Sequence, residues 1–308
     1  MQPAPEAQPP TLAARLRELA NLIAPTTVIT ALLVYFGAVY TDGRLAYYGI
    51  QLGLADLATH DLILYGTEGI YVPIALLFTA VLLALAVHGV VIWLVAAPGR
   101  RAATMLTAAA IGTAGLLCTA RALIGIFVPG VAATEPTAVT PLSLAVGPLL
   151  VAYSGWILAK VAAGRLDRSP LRGTPTGLIT PARRTAIVAV VMLTLTGLFW
   201  ATNRFAFTLG LSRSYGEAVD GAGAYRLVLD TKDQLTDPPP GVTVTPLTGG
   251  PDNPFRYRYQ GFRLVLESGG RLFLVPHQWT RDARTLVLPY DESVRIELIP
   301  PPKNLAPR

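Results

Sequence analysis

The chain has 308 residues, 52% of them apolar and only 14% charged, with a mean hydropathy of +0.47. A soluble globular protein carries about 25% charged residues, so this composition points to a membrane-embedded chain. The net charge of +6 is unevenly shared: residues 1–204 carry 13 Lys+Arg against 8 Asp+Glu, and residues 205–308 carry 12 against 11, which argues against a tail that binds nucleic acid.

A Pro-rich leader comes first. In 11–23, Leu12, Leu16, Leu19 and Ile23 fall at helical spacing, with Arg15, Arg17 and Glu18 between them. That pattern predicts a short amphipathic helix on the membrane surface. The first apolar run, 24–40, follows with Pro25 suited to its first turn. It starts late and no small-residue cleavage site follows it, so a cleaved signal peptide is not expected. Further apolar runs cover 71–97, 103–128, 141–163 and 185–201. Each can cross roughly 30 Å of hydrocarbon at about 1.5 Å per residue, the first and fifth only just. Pro148 is expected to kink the fourth. Ala108/Gly112 and Ala110/Ala114, at four-residue spacing, would let the third pack closely on a neighbour.

Charge then orients the spans. Arg15, Arg17, Arg100, Arg101, Arg165, Arg168, Arg172, Arg183 and Arg184 lie in segments that must share one side. The opposite loops hold Arg44 alone. The positive-inside rule puts the N-terminus in the cytoplasm and, after five spans, the tail outside. Tyr40, Tyr47, Tyr48, Tyr65, Tyr71, Phe127, Trp200 and Phe205 mark an outer aromatic belt. Arg204 and Arg213, close to the outer end of the fifth span, oppose this orientation.

Beyond Phe207 the composition changes. Ser214-Tyr215-Gly216-Glu217 has capping-box spacing and predicts a short helix. Residues 225–230 alternate as a half-buried strand does, and 237–241 and 248–253 read as loops. Around Ser268-Gly269-Gly270 a hairpin with a three-residue turn is expected, with Glu267 opposite Arg271. One face would gather Phe262, Leu264, Leu266, Leu272 and Leu274; the other, mixed face would carry Arg263, Val265, Glu267, Arg271, Phe273 and Val275. Residues 286–288 and 294–298 predict two more strands turned around Asp291-Glu292. The expected fold class is therefore a membrane all-α domain of five transmembrane helices with a small C-terminal β-rich or α+β soluble domain. Its parts would be a cytoplasmic leader (1–23), a transmembrane domain (24–204), an extracytoplasmic domain (205–300) and a disordered end (301–308).

The stretch from Tyr257-Arg-Tyr-Gln-Gly-Phe through Leu274-Val-Pro, then Leu288-Pro-Tyr-Asp-Glu-Ser-Val-Arg-Ile-Glu-Leu, resembles a group of uncharacterised multi-pass membrane proteins from high-GC actinobacteria. Tyr35-Phe-Gly-Ala-Val-Tyr and Tyr48-Gly-Ile-Gln-Leu-Gly share that resemblance. It spans most of the chain and implies a cell-membrane location, but no activity and no functional residue.

Few polar residues stand out as functional. His60, Asp61 and Glu68 lie between the first two spans; with Thr59 as a cap, Asp61 and Glu68 share a helix face. They would suit a cation or proton site, or simply a polar helix start. Arg121 lies inside the third span, where an ionisable residue is either a functional group or a snorkelling anchor, with Glu68 or Glu135 as partner. His88 in the second span has no second intramembrane histidine with which to hold a haem. Ser154-Gly155 suggests an intramembrane serine nucleophile with His88 as base, but the preceding Ala152-Tyr153 lacks the usual glycine. His277 stands alone in the tail and makes a poor metal site. No cofactor motif, glycine-rich phosphate loop or disulfide framework is present, Cys118 being the only cysteine.

Three functions follow from this. The first is a non-enzymatic sensor, scaffold or assembly partner, with an external domain for a ligand or for another membrane or envelope protein. The second is a transporter or transporter accessory subunit. The third is a membrane enzyme acting on lipid or envelope substrates through His60, Asp61 and Glu68. The bilayer is a partner in all three.

Overall fold

A computed structural model describes residues 12–96, 99–166, 176–220, 226–248, 253–280 and 282–300. The order is α1 (Leu12–Ala46), α2 (Thr59–Ala96), α3 (Arg101–Phe127), α4 (Pro129–Thr134), α5 (Val139–Leu166) and α6 (Thr176–Asp220). Six strands follow: β1 (Arg226–Thr231), β2 (Thr243–Pro246), β3 (Tyr257–Ser268), β4 (Arg271–Pro276), β5 (Leu286–Pro289) and β6 (Val294–Ile299). Among the described residues five helices, α1, α2, α3, α5 and α6, are long and apolar enough to cross a membrane. The expected disordered end and residues 167–175, between the fourth and fifth apolar runs, fall outside the described residues.

Two helix boundaries differ from expectation. The surface helix and the first apolar run form one continuous helix, α1. Pro25 falls within it, although a proline inside a helix removes one hydrogen bond. Likewise α6 does not stop near Ala201. It runs to Asp220, and Ser214 lies inside it rather than capping a new helix. Tertiary contacts hold that polar extension: the Ser214 hydroxyl donates to the Arg44 carbonyl at 2.9 Å, and Arg44 pairs with Glu217 at 3.1 Å.

The chain divides into two compact units, one of Ile70–Thr208 and one of Met1–Gly69 with Leu209–Arg308. In the first unit, α3 packs against α5 through small residues. Ala108 and Ala122 are fully buried, and a Cβ added at Gly115 would meet the Val151 nitrogen at 2.8 Å. Such close approach is what small residues permit between apolar helices. The Ala108/Gly112 stripe serves this contact, whereas Ala110 and Ala114 are exposed.

In the second unit, α1 meets the start of α2 and the end of α6 equally closely. A Cβ at Gly66 would lie 2.0 Å from the Leu33 carbonyl oxygen, and one at Gly210 would lie 2.1 Å from that of Tyr40. The rest of this unit is a six-stranded antiparallel sheet in the order β5-β4-β3-β1-β6, with β2 pairing the first half of β3. Leu227, Leu229, Tyr259, Phe262, Leu272 and Leu274 form its core. Residues of both edge strands, Leu286 and Leu288 on one side and Val294 and Ile296 on the other, pack into that same core, so the sheet curls around it.

The β3–β4 hairpin differs from expectation in register. Its turn has two residues, Gly269 and Gly270, with φ of +59° and +66°, and Ser268 faces Arg271. Two consecutive left-handed residues make the primed turn that matches strand twist, and glycine adopts it without strain. Glu267 therefore faces Leu272, and the expected Glu267–Arg271 pair does not form. An irregularity between Leu264 and Leu266 then moves Leu266 to the opposite face, where it packs beside Phe273 and Val275. That face is buried rather than open to solvent: the end of α1 and the segment after it cover it, with Leu45, Tyr48, Ile50 and Ala55 in the contact. Nor do β5 and β6 form a hairpin. β5 adds to β4 and β6 adds to β1, because those two strands offered the open edges.

Candidate functional site

Where the sheet meets the helix ends, the contact is polar as well as apolar. Arg263, on β3, is only 5% exposed. Its guanidinium donates to the Glu217 backbone carbonyl at 2.7 Å and to the Tyr48 hydroxyl, and it lies 5.3 Å from the Tyr48 ring centroid. Tyr48 in turn donates to the Ser214 carbonyl at 3.2 Å. The Glu217 carboxylate is shared by Arg44 and Arg213. Ser268 donates to the Asp56 carbonyl, and Thr285 to the Tyr48 carbonyl at 2.6 Å. The sheet is thus tied by buried hydrogen bonds to the end of α1, to the following loop and to the end of α6. Burial pushes the Tyr48 phenol above its ordinary pKa despite the nearby Arg263 charge, so it stays protonated and keeps donating.

Two cavities open at this level. One, of about 420 Å³, is bordered by Arg226, Gly241, Gln260, Gly261, His277 and Gln278. The other, of about 350 Å³, is bordered by Tyr47, Ala218, Val219, Trp279 and the same His277 and Gln278. The His277 backbone N–H donates to the Gly261 carbonyl at 2.7 Å, but its ring Nδ1 is buried with no hydrogen-bond partner among the described residues. Burial, then the Arg226 and Arg263 charges, hold the imidazole pKa below its ordinary value, so the ring is neutral near pH 7.

Asp230 on β1 makes a separate charged cluster. Its carboxylate is 1% exposed and accepts from Arg258 Nε at 2.8 Å, Arg258 Nη2 at 2.9 Å and Arg295 Nη2 at 2.8 Å. These bonds, from Arg258 first, outweigh burial and hold Asp230 below the usual carboxylate range.

The residues singled out in the sequence are distributed rather than gathered. Thr59 is the first residue inside α2 rather than its cap, since the Ala58 carbonyl accepts from the Leu62 N–H at 3.3 Å, and His60 pairs with Asp61 at 3.2 Å on an exposed surface. Glu68 is engaged elsewhere, accepting from the Tyr40 hydroxyl at 2.7 Å. Arg121 pairs with Glu135, not Glu68. Glu135 also accepts from the Thr140 N–H at 3.0 Å. Burial raises the Glu135 pKa, but the Thr140 and Arg121 contacts outweigh it and the net shift is downward.

His88 bonds Tyr153 at 2.7 Å, while Ser154 donates to the Ala108 carbonyl at 2.7 Å. Serine and histidine therefore have different partners, and no nucleophile–base pair forms. Among the described residues no group of three His, Cys, Asp or Glu is placed to hold a metal. The Arg263–Tyr48 joint and the His277 cavities had no sequence signal: Tyr48 and Arg263 lie 215 positions apart. No family model, curated protein or solved structure matches this chain.

Proposed function

We propose that this chain is an integral protein of the plasma membrane, with its N-terminus in the cytoplasm and its β domain outside. It acts without catalysis, as a sensor, scaffold or assembly partner whose external domain binds a ligand or another envelope protein. The location is supported by the apolar exterior of the helices: the most apolar window of α2 has none of its residues buried within the chain. Surface of that kind needs lipid or another apolar helix around it. The orientation rests on the arginines of the loops.

The observation that carries the functional reading is the joint at Arg263. A domain on a flexible tether would not bury a cation against the ends of two helices. Here Arg263 binds Tyr48 just beyond α1 and Glu217 within α6. Binding at the β domain would therefore act on both helices, as a sensor or an assembly contact requires.

The test is to replace residues 226–300 by an unrelated soluble domain of similar size. Neighbours are then mapped in intact cells with a photo-crosslinking residue at Thr236 or at its counterpart in the graft. The reading expects membrane insertion to persist and the set of crosslinked neighbours to change. An unchanged set would overturn it.

A further inference from the structure

We propose that the cavity bordered by Arg226, Gln260 and His277 is a binding site for a phosphodiester, the headgroup of an anionic phospholipid. This deepens the reading of the β domain as a ligand-binding domain and rests on it. Charge favours such a ligand. Arg226 and Arg263 face each other directly in the β1–β3 register. Like charges in such a pair repel. Neither has a carboxylate partner among the described residues; Arg263 is satisfied by a carbonyl and a phenol, and Arg226 makes no ion pair. Both charges acting on His277 are positive. A bound anion would remove the repulsion, and arginine is suited to phosphate oxygens because its planar fork donates twice.

Hydrogen bonding favours it as well. A neutral imidazole has one N–H donor, and the side-chain amides of Gln260 and Gln278 supply more. A phosphodiester, which accepts only, fits that donor set. Among the described residues the buried Nδ1 of His277 has no hydrogen-bond partner, a state that is rare for a buried polar atom.

The neighbouring space suits the rest of a lipid. The second cavity meets the first at His277 and Gln278 and is walled by Tyr47, Trp279 and Val219 of α6. Tyr47 and Trp279 stand 6.2 Å apart between ring centroids. Aromatic rings near the end of a long apolar helix are the usual company of lipid headgroups. A phosphate in the first cavity would leave the apolar or glycerol part of its ester beside these rings.

The full chain in a phosphate-free maltoside micelle provides the test. It contains three histidines, so imidazole ¹⁵N labelling gives few signals, and loss of one in His277→Gln assigns it. Glycerophosphoglycerol, the soluble headgroup, and inorganic phosphate are titrated separately. The His277 signal should shift and saturate with the phosphodiester while His60 and His88 stay still. Arg226→Gln should weaken that binding about 10-fold or more, the value of one charged hydrogen bond. Arg284→Gln, at an exposed pair with Asp237, should leave it unchanged and controls for loss of net charge. Saturation with inorganic phosphate alone would keep the site but assign it to free phosphate. No saturable shift with either probe at millimolar concentration overturns the proposal, and that failure is separate from any change in the crosslinking neighbours, which tests the broader reading.

Discussion

A close helix contact of the second unit makes a quantitative prediction. Gly66 on α2 lies against α1 so closely that an added Cβ would sit 2.0 Å from the Leu33 carbonyl oxygen. Ordinary contact begins near 3.4 Å, so Gly66→Ala must separate the two helices by about 1.4 Å. Backbone atoms on both sides leave no rotamer to absorb the shift. Two residues further along α2, Glu68 accepts from the Tyr40 hydroxyl at 2.7 Å; a displacement of that size stretches the bond beyond hydrogen-bond range. Overpacking costs about 1–3 kcal/mol and a lost charge-assisted bond about as much, so the variant should lose about 3 kcal/mol.

At about 2–4 °C per kcal/mol, the apparent melting temperature should fall by roughly 6–12 °C. The assay is intrinsic tryptophan fluorescence on heating in maltoside micelles. Gly89→Ala, on the same helix, is the internal control, because nothing lies within 4 Å of its added Cβ. It should gain about 0.5–1 kcal/mol from helix propensity. If the two variants melt together, the close helix contact is wrong.

Three further predictions concern charge. Asp230→Asn should destabilise the β domain by about 2–3 kcal/mol, less than a fully buried pair would lose, because Arg258 and Arg295 are partly exposed and can rehydrate. The Asp230 pKa is lowered on folding, so its stabilisation is fully present above the unfolded value of about 3.9 and is lost as pH falls through the folded value. Hydrogen exchange of β1 and β3 amides should separate wild type from variant at pH 7 and bring them together in strong acid. Arg263→Ala should leave the Tyr48 hydroxyl and the Glu217 carbonyl short of partners, and hydrogen exchange should quicken at least 10-fold over 45–57 and 273–275, the value of about 1.4 kcal/mol. Arg121→Ala should destabilise the chain more than Arg121→Ala combined with Glu135→Ala, since the single change strands a carboxylate whose side chain is only 6% exposed; thermal melts of both variants check the order.

What could be read in advance follows from the range of the forces involved. The apolar runs announced the five long helices because lipid-compatible surface needs nothing but local composition. The extension of α6 to Asp220 could not be read, because its polar residues are held by Arg44, which lies 173 positions away from Glu217. The hairpin was legible from two glycines between apolar strands. Its faces were not fully so, since one bulged residue at Val265 reverses everything on one side of it. Val294–Ile299 was legible as a strand but its partner was not: short sequence separation favours a hairpin with β5, while the open edge of β1 offered the pairing that completes the core. Phe273 and Val275 looked half-polar only because their cover, the loop around Tyr48, lies more than 200 residues upstream.

The central claim is a β domain on the outer side of the membrane, and thiol labelling tests it most directly. In a Cys118→Ala background, single cysteines are placed at Ser169, between the fourth and fifth apolar runs, and at Thr245, exposed on β2. Intact cells are treated with an impermeant thiol reagent, and permeabilised cells serve as the positive control. Labelling at Thr245 alone is the predicted result. Labelling at Ser169 alone would invert the chain, put the β domain in the cytoplasm and contradict the account.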